Sequence, residues 1–314
     1  MEILCQAPFD LELSLRAARS FVKPASAKDG EAGQEPDPSV LRLGVWLEDR
    51  PTLVEVRQAR LDPPLLLAEA RPPAPAASVE RLVAWAANAA MELAPFYHLV
   101  ETHEVLGPLT RELHGVKPFR PSSLFDMLVM AVTEQQISLA AAHHIQARLI
   151  QRFGTEVEGV PVFPRARALA DVSLDELVAC GLSHRKAEYV NGVAGAVATG
   201  GLDLEALATA SDDEVRERIS ALRGFGLWSA NYVLVRGMGR VDTVPLDDLG
   251  VRKAAGRLLS GGRVLTPAET GEALAPFAPY RGLATFYLLV GSRMGSDDHG
   301  AGVVQRPTMP RSAS

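Results

Sequence analysis

Two glycines and two acids, close together in the chain, are the residues best placed to do chemistry. Gly224 and Gly226 flank Phe225 within Leu222-Arg-Gly-Phe-Gly-Leu-Trp-Ser-Ala230, and Asp247-Asp248 follow Val241-Asp-Thr-Val-Pro-Leu246. Residues 212–221 read as one helix and Trp228–Arg236 as the next, so the glycines form the turn of a hairpin. Glycine admits positive φ and lets another backbone come close. The N–H groups that open the second helix lack helical partners and sit at the positive end of its dipole, which suits a phosphate. The turn carbonyls suit a cation. A glycine pair of this kind equally suits an ordinary turn. As for the acids, Pro245 breaks a short apolar run, and Leu249, Val251, Ala254 and Ala255 then give a helical face. A carboxylate at a helix start can cap it, or it can serve as a general base or electrostatic stabiliser. Neighbouring helical residues point about 100° apart, so one aspartate is expected to enter a site while the other caps or faces water.

Composition bounds what such a site can serve. The chain has 314 residues, 47% hydrophobic and 22% charged, enough for one large domain or two ordinary ones with a sizeable core. A formal charge of −6 excludes a whole-molecule basic field, so any nucleic-acid contact needs a local patch. Arg185-Lys186, Arg223, Arg236 and Arg240 could supply one. The two cysteines, Cys5 and Cys180, exclude a four-cysteine zinc or iron–sulfur site and fit a reducing compartment. His143-His144 are adjacent and point apart on a helix, a poor metal pair. The start has no basic segment leading into an apolar run, and no stretch approaches membrane-spanning length, so a cytoplasmic location is expected (nucleoid-associated in a bacterium or archaeon).

The elements that must position these residues change character along the chain. Phe9, Leu11, Leu13 and Leu15 alternate with polar residues, the period of a strand. Residues 24–39 hold little to bury and read as a mobile loop. Leu41–Leu47 and Leu53–Val56 read as strands around a Glu-Asp-Arg-Pro hairpin, with a further strand over Leu65–Ala70. Ser78 is expected to cap a helix running to about Leu93. Ser123 with Asp126 reads as the start of a helix, and Ser138–Phe153 as the next, stopped by Gly154. Ser173 with Glu176, Ser211 with Glu214, and Thr266 with Glu269 read as capping boxes. The expected fold is mainly α with an N-terminal α+β part. An antiparallel-sheet domain over 1–105 precedes a helical domain over 106–294, with a polar, disordered tail over 295–314.

These motifs together resemble the helix–hairpin–helix (HhH-GPD) DNA glycosylase superfamily, and most closely its 3-methyladenine DNA glycosylase II family. The likeness rests on Leu222-Arg-Gly-Phe-Gly-Leu-Trp-Ser-Ala-Asn-Tyr232 and Val244-Pro-Leu-Asp-Asp-Leu-Gly-Val251. Glu134-Gln-Gln-Ile-Ser138, Cys180-Gly-Leu-Ser-His-Arg-Lys-Ala-Glu188, Pro279-Tyr-Arg-Gly-Leu-Ala284 and Ala7-Pro-Phe-Asp10 add weaker matches. The resemblance implies an enzyme that flips a damaged base from duplex DNA and hydrolyses its glycosidic bond. By position, Asp248 is the acid acting on the sugar, which leaves Asp247 as a cap. Trp228 stands where members that also cut the strand carry a lysine, implying a monofunctional enzyme with water as nucleophile. Trp228 and Tyr232 would line the base pocket, where an electron-rich ring suits a cationic alkylated purine. Gln136 matches the side chain that fills the gap left by the flipped base. Arg223, Gly224, Phe225, Gly226 and Ser229 would hold the DNA. Carbonyls of Ser220, Leu222 and Phe225 could seat a monovalent cation, and no cofactor is required. A tryptophan that the family would place near Leu289 is absent, which bears on the shape of the pocket. The implied partner is duplex DNA containing a damaged base, with no membrane and the protein a monomer. Two other functions fit the same motifs: a glycosylase for oxidised or deaminated purines such as 8-oxoguanine or hypoxanthine, and a non-catalytic DNA-binding module.

Overall fold

The computed structural model describes residues 1–21 and 37–297, with side chains described to residue 294. Most of the 24–39 loop and of the 295–314 tail therefore lies outside the described residues. A four-stranded antiparallel sheet has the order β1-β4-β3-β2, formed by β1 (Glu2–Leu4), β2 (Leu41–Leu47), β3 (Arg50–Leu61) and β4 (Pro64–Arg71). The β2–β3 turn sits at Glu48 and Asp49, both with positive φ. On β4 the pleat puts Leu66 and Ala68 into the core while Leu67 and Glu69 face out. A small hairpin, β5 (Thr155–Val157) and β6 (Val160–Val162), lies against β2, where a Cβ on Gly44 would come within 2.3 Å of the Pro161 carbonyl oxygen.

The helices in the first half of the chain are α1 (Leu11–Arg19), α2 (Ala76–Ala86), α3 (Ala94–Val100), α4 (Leu106–Glu112), α5 (Leu124–Thr133) and α6 (Leu139–Phe153). Then come α7 (Ala166–Ala170), α8 (Leu174–Ala179), α9 (His184–Ala198), α10 (Leu204–Thr209) and α11 (Asp212–Ser220). Last are α12 (Leu227–Tyr232), α13 (Leu249–Leu259), α14 (Pro267–Leu274) and α15 (Arg281–Asp297). The expected order, a small antiparallel sheet followed by many capped helices, is what the chain adopts. All three Ser/Thr–Glu capping boxes form, at α8, α11 and α14, and Ser123 and Ser138 cap α5 and α6.

Two expectations near the N-terminus are corrected. The segment from Phe9 to Arg16 is not a strand. Asp10 caps a helix by accepting from the Leu13 N–H at 2.8 Å, and Leu11, Ser14 and Leu15 turn inward together. Over eight residues, alternation and helical spacing share positions, and the cap decides between them. Nor does Ser78 cap α2. That helix starts after Pro75 without a side-chain cap, and the Ser78 hydroxyl donates to Glu48. It ends at Ala86 because Asn88 takes a positive φ, so Leu93 begins the approach to α3.

Three apolar clusters hold the molecule together. One joins the sheet to α1 and α2. A second joins Leu93, Phe96, Leu106 and Val116 to Val251, Phe277 and Leu288, stitched by the Tyr97 and Tyr287 hydroxyls 2.7 Å apart. The third lies between α5, α9 and the hairpin helices and carries Phe225, Ala230 and Tyr232.

Lys117 is an exception to the apolar interior. It is wholly buried, and its ammonium donates to the carbonyls of Gln6 (2.8 Å) and Ala89 (3.1 Å). Burial depresses its pKa from 10.5 to about 8. Between those values the unfolded chain holds the extra proton, so stability rises with pH across that window, by up to about 3 kcal/mol. Urea unfolding from pH 8 to 10.5 is expected to show this rise in the wild type and a flatter profile in Lys117→Met.

Candidate functional site

The hairpin closes on an aromatic ring. Gly224 has φ +90°, which disfavours an L side chain, and a Cβ there would lie 2.2 Å from the Tyr189 ring carbons of α9. The turn is fastened internally by the Phe225 N–H donating to the Leu222 carbonyl at 3.0 Å. Phe225 itself points into the core. Gly226 is different. Its backbone is extended (φ −106°), it is exposed, and no atom lies within 4 Å of where a Cβ would be. The protein's own packing does not require glycine at that position.

Asp248 is the N-cap of α13. Its Oδ1 accepts from the Val251 N–H at 3.0 Å, which places the carboxylate against the positive end of the helix. The carboxylate also lies within electrostatic range of Tyr232, Arg236 and Arg293. The residue is half-buried, while Asp247 is exposed one position earlier. The expectation that Asp247 would be the cap is therefore corrected. The residue read as the chemical one caps the helix as well, and the cap bond orients it. Leu289 of α15 flanks this position, for a Cβ on Gly250 would meet Asp248 Oδ1 at 3.0 Å and Leu289 Cδ2 at 3.9 Å.

Trp228 and Tyr232 stack, with ring centroids 4.8 Å apart and planes 15° from parallel. They lie one turn apart on α12, and the ladder continues to Arg236, whose guanidinium sits 5.5 Å from the Tyr232 centroid. The rungs Tyr232 and Arg236 straddle the end of α12, where the helix widens into a π turn over Val233–Gly237. Tyr232 is buried, whereas Trp228 is half-buried and so forms the accessible layer. The Tyr232 hydroxyl donates a very short hydrogen bond to Glu134 Oε2 and accepts one from Arg236 at 3.0 Å. Burial raises the phenol pKa well above its usual value, so the hydroxyl keeps its proton.

The segment after α5 is pinned on several sides. Glu134 holds Tyr232. The Gln135 amide donates to the Gly224 carbonyl (2.9 Å) and to Ser229 Oγ (3.2 Å). The Lys186 ammonium donates to the carbonyls of Thr133 (3.0 Å) and Gln135 (2.6 Å). Between these ties Gln136 takes a left-handed backbone (φ +56°) and stands exposed beside exposed Ile137.

With this geometry described, likeness to known proteins becomes informative. The model of the HhH-GPD superfamily of base excision DNA repair proteins matches residues 129–279. That segment is an HhH-GPD domain. The chain is 30% identical over 201 residues to the DNA-3-methyladenine glycosylase of Bacillus subtilis, covering 63% of this chain and 66% of that one, just under two thirds. It shares its fold with the 3-methyladenine DNA glycosylase of Archaeoglobus fulgidus (TM-score 0.77, 24% identity, 94% of this chain and 99% of that one). It is also similar to the Schizosaccharomyces pombe 3-methyladenine DNA glycosylase solved with abasic DNA (TM-score 0.56, 26% identity, 63% and 96%).

Within the HhH-GPD domain, the residues read from sequence divide into three groups. Gly224, Gly226, Trp228, Gln136 and Asp248 all lie on the hairpin, the pinned loop or the start of α13. Phe225, Ser229 and Tyr232 turn inward, so they support the site instead of presenting side chains to it. The basic patch is the clearest correction. Lys186 clamps carbonyls, half-buried Arg236 bonds Tyr232, and Arg240 pairs with Asp212 at 3.1 Å. Arg223 is exposed but paired with Glu188 at 2.7 Å, while Arg185 is exposed. Sequence reasoning missed Glu134 and Gln135 as parts of the site, and named Leu289 only for the tryptophan absent there. The polar run Glu134-Gln-Gln between two apolar helices was the available signal for the first two. Two shallow surface clefts, of about 260 and 320 Å³, lie elsewhere, and neither is lined by Asp248 or Trp228.

The two hairpin glycines should respond differently to alanine. Gly224→Ala is expected to cost more than about 2 kcal/mol in urea unfolding because the Tyr189 ring must move and φ stays positive. Gly226→Ala should change stability by less than about 0.5 kcal/mol.

Proposed function

We propose that this protein is a monofunctional DNA glycosylase of base-excision repair. It would take an alkylated purine of the 3-methyladenine type out of duplex DNA and hydrolyse its N-glycosidic bond. The observation that carries the reading is Asp248, a carboxylate oriented by its own cap bond in an HhH-GPD domain. It lies within electrostatic range of Tyr232 and Arg236, and Tyr232 stacks on the half-buried Trp228. The names of the relatives, DNA-3-methyladenine glycosylases from Bacillus subtilis and two yeasts, support the same substrate class. The fission-yeast neighbour bound to abasic DNA supports duplex DNA as the partner. Gly226 supports it physically: the space at its Cβ position is open, which leaves room for another backbone to approach.

In this mechanism the flipped base stacks on Trp228, and a cationic base is attracted to the ring face. The bond from C1′ to the purine nitrogen breaks, and its electron pair neutralises the departing base. Asp248 stabilises the positive sugar and takes the proton of the attacking water. Trp228 offers no amine for a covalent sugar adduct, and Lys186 is committed to carbonyls, so strand cutting does not accompany release. Gln136 and the main chain of the hairpin would hold the DNA. The Ser220, Leu222 and Phe225 carbonyls form an all-oxygen set suited to a hard monovalent cation. One lone pair on Leu222 is already taken by Phe225. The described residues have no helix long and apolar enough to cross a membrane, and action as a monomer in the cytoplasm completes the proposal.

Single-turnover release of bases from an alkylated duplex, with and without alkali, tests the reading. Asp248→Asn keeps an N-cap side chain, so the fold is retained, while release slows at least about 100-fold. Undiminished release in that variant would remove Asp248 from the mechanism. Strand breaks without alkali would remove the assignment of water as nucleophile. Failure of the wild type to release alkylated, oxidised or deaminated bases would leave a DNA-binding module.

A further inference from the structure

We infer that Glu134 is a specificity-determining residue: its buried carboxylate, beside the Tyr232 hydroxyl, places a negative charge at the edge of the Trp228–Tyr232 stack and so favours cationic over neutral bases. The inference rests on the function proposed above, but on a residue that takes no part in bond breaking.

Glu134 is almost completely buried at the end of α5. Its two oxygens are both engaged, Oε2 by the Tyr232 hydroxyl and Oε1 by the Gln146 amide at 3.3 Å, which also donates to Thr133 Oγ1 at 2.8 Å. A buried hydroxyl needs only a neutral acceptor, and a glutamine of the same shape would provide one. The carboxylate therefore adds something beyond the hydrogen bond. Several charged groups share this region. Asp248 lies within electrostatic range of Tyr232. Arg236 bonds the Tyr232 hydroxyl at 3.0 Å, and Arg293 lies one turn beyond Leu289 within electrostatic range of Asp248 and Arg236. The Lys186 ammonium holds the carbonyls on either side of Glu134. Removing the charge of Glu134 makes this set more positive by one unit, which disfavours a base that already carries a positive charge and leaves a neutral base unaffected.

Glu134→Gln and Tyr232→Phe separate charge from packing. Each is assayed by single-turnover release of 7-methylguanine, cationic in DNA, and of hypoxanthine, neutral, from matched duplexes, with thermal melting as a folding control. Glu134→Gln is expected to lower the 7-methylguanine to hypoxanthine ratio on the order of tenfold, the effect of one charge about 10 Å away at an effective dielectric of about 20. Tyr232→Phe removes a neutral hydroxyl and no charge, while Arg236 remains beside Glu134, and it is expected to hold the ratio within about threefold of wild type, whatever its effect on overall rate. An equal loss for both bases in Glu134→Gln would mean packing alone and would overturn the inference. So would a tenfold fall of the ratio in Tyr232→Phe. Should the wild type release neither base, the proposed function fails, and the charge preference is read separately. Quenching of protein fluorescence by 7-methylguanosine against guanosine should then show a tighter cationic ligand in wild type and not in Glu134→Gln; equal preference in both proteins would overturn the inference.

Discussion

The hydrogen bond between the Tyr232 hydroxyl and the buried Glu134 carboxylate is the interaction on which the site depends. Burying a carboxylate away from water costs several kcal/mol unless its oxygens are satisfied. Tyr232 and Gln146 satisfy them, and in doing so they fix the end of α5 against the hairpin helix. Once that contact is made, the rest falls into register. Trp228 has a flat surface to lie on, Gln135 meets the Gly224 carbonyl and Ser229, and Gln136 is left at the apex of a loop that cannot shift without breaking buried polar bonds. The π turn at Val233–Gly237 belongs to the same arrangement, since it lies between the two rungs, Tyr232 and Arg236, that bond one another.

The acid follows a comparable economy. A cap bond and a catalytic duty make opposite demands on a carboxylate, since one satisfies it and the other needs it reactive. Asp248 meets both because a carboxylate has two oxygens. Oδ1 is spent on the Val251 N–H, which sets the side-chain torsion, and the helix dipole favours the negative charge on the group as a whole. Leu289 of the last helix closes one side. The position thus combines the α12 hairpin, the α13 cap and the α15 wall, three elements brought together by two separate apolar cores.

Much of this was legible in the chain and some was not, and the reasons differ by residue. Capping boxes at Ser173, Ser211 and Thr266 were readable because both partners lie within four residues and the bonds are local. The β2–β3 hairpin was readable because two short apolar runs flank the turn-forming Glu-Asp-Arg-Pro segment. Leu11–Arg19 was misread because a short amphipathic run satisfies two periods, and only the Asp10 cap and the burial of Ser14 select the helix. Arginines were misread as a patch for another reason. Sequence shows a charge but not its partner, and Arg236 and Arg240 each turn out to have one within the protein.

Local chemistry along the chain by itself determined that a glycine turn joins a helix with a capping box to a second helix ahead of an acidic pair, and that a tryptophan lies in the first turn of the second, because turns, caps and spacing involve neighbours in sequence. Only the tertiary structure decided that Asp248 rather than Asp247 is the cap, that Tyr232 is a buried support beneath Trp228, and that Glu134, 98 residues upstream of Tyr232, is its partner. Which carboxylate caps a helix beside another element, and which charge stands at the edge of an aromatic ring, depends on contacts between elements distant in sequence. Those contacts are set by how α5, α9, α12 and α13 pack, and no local pattern encodes that packing.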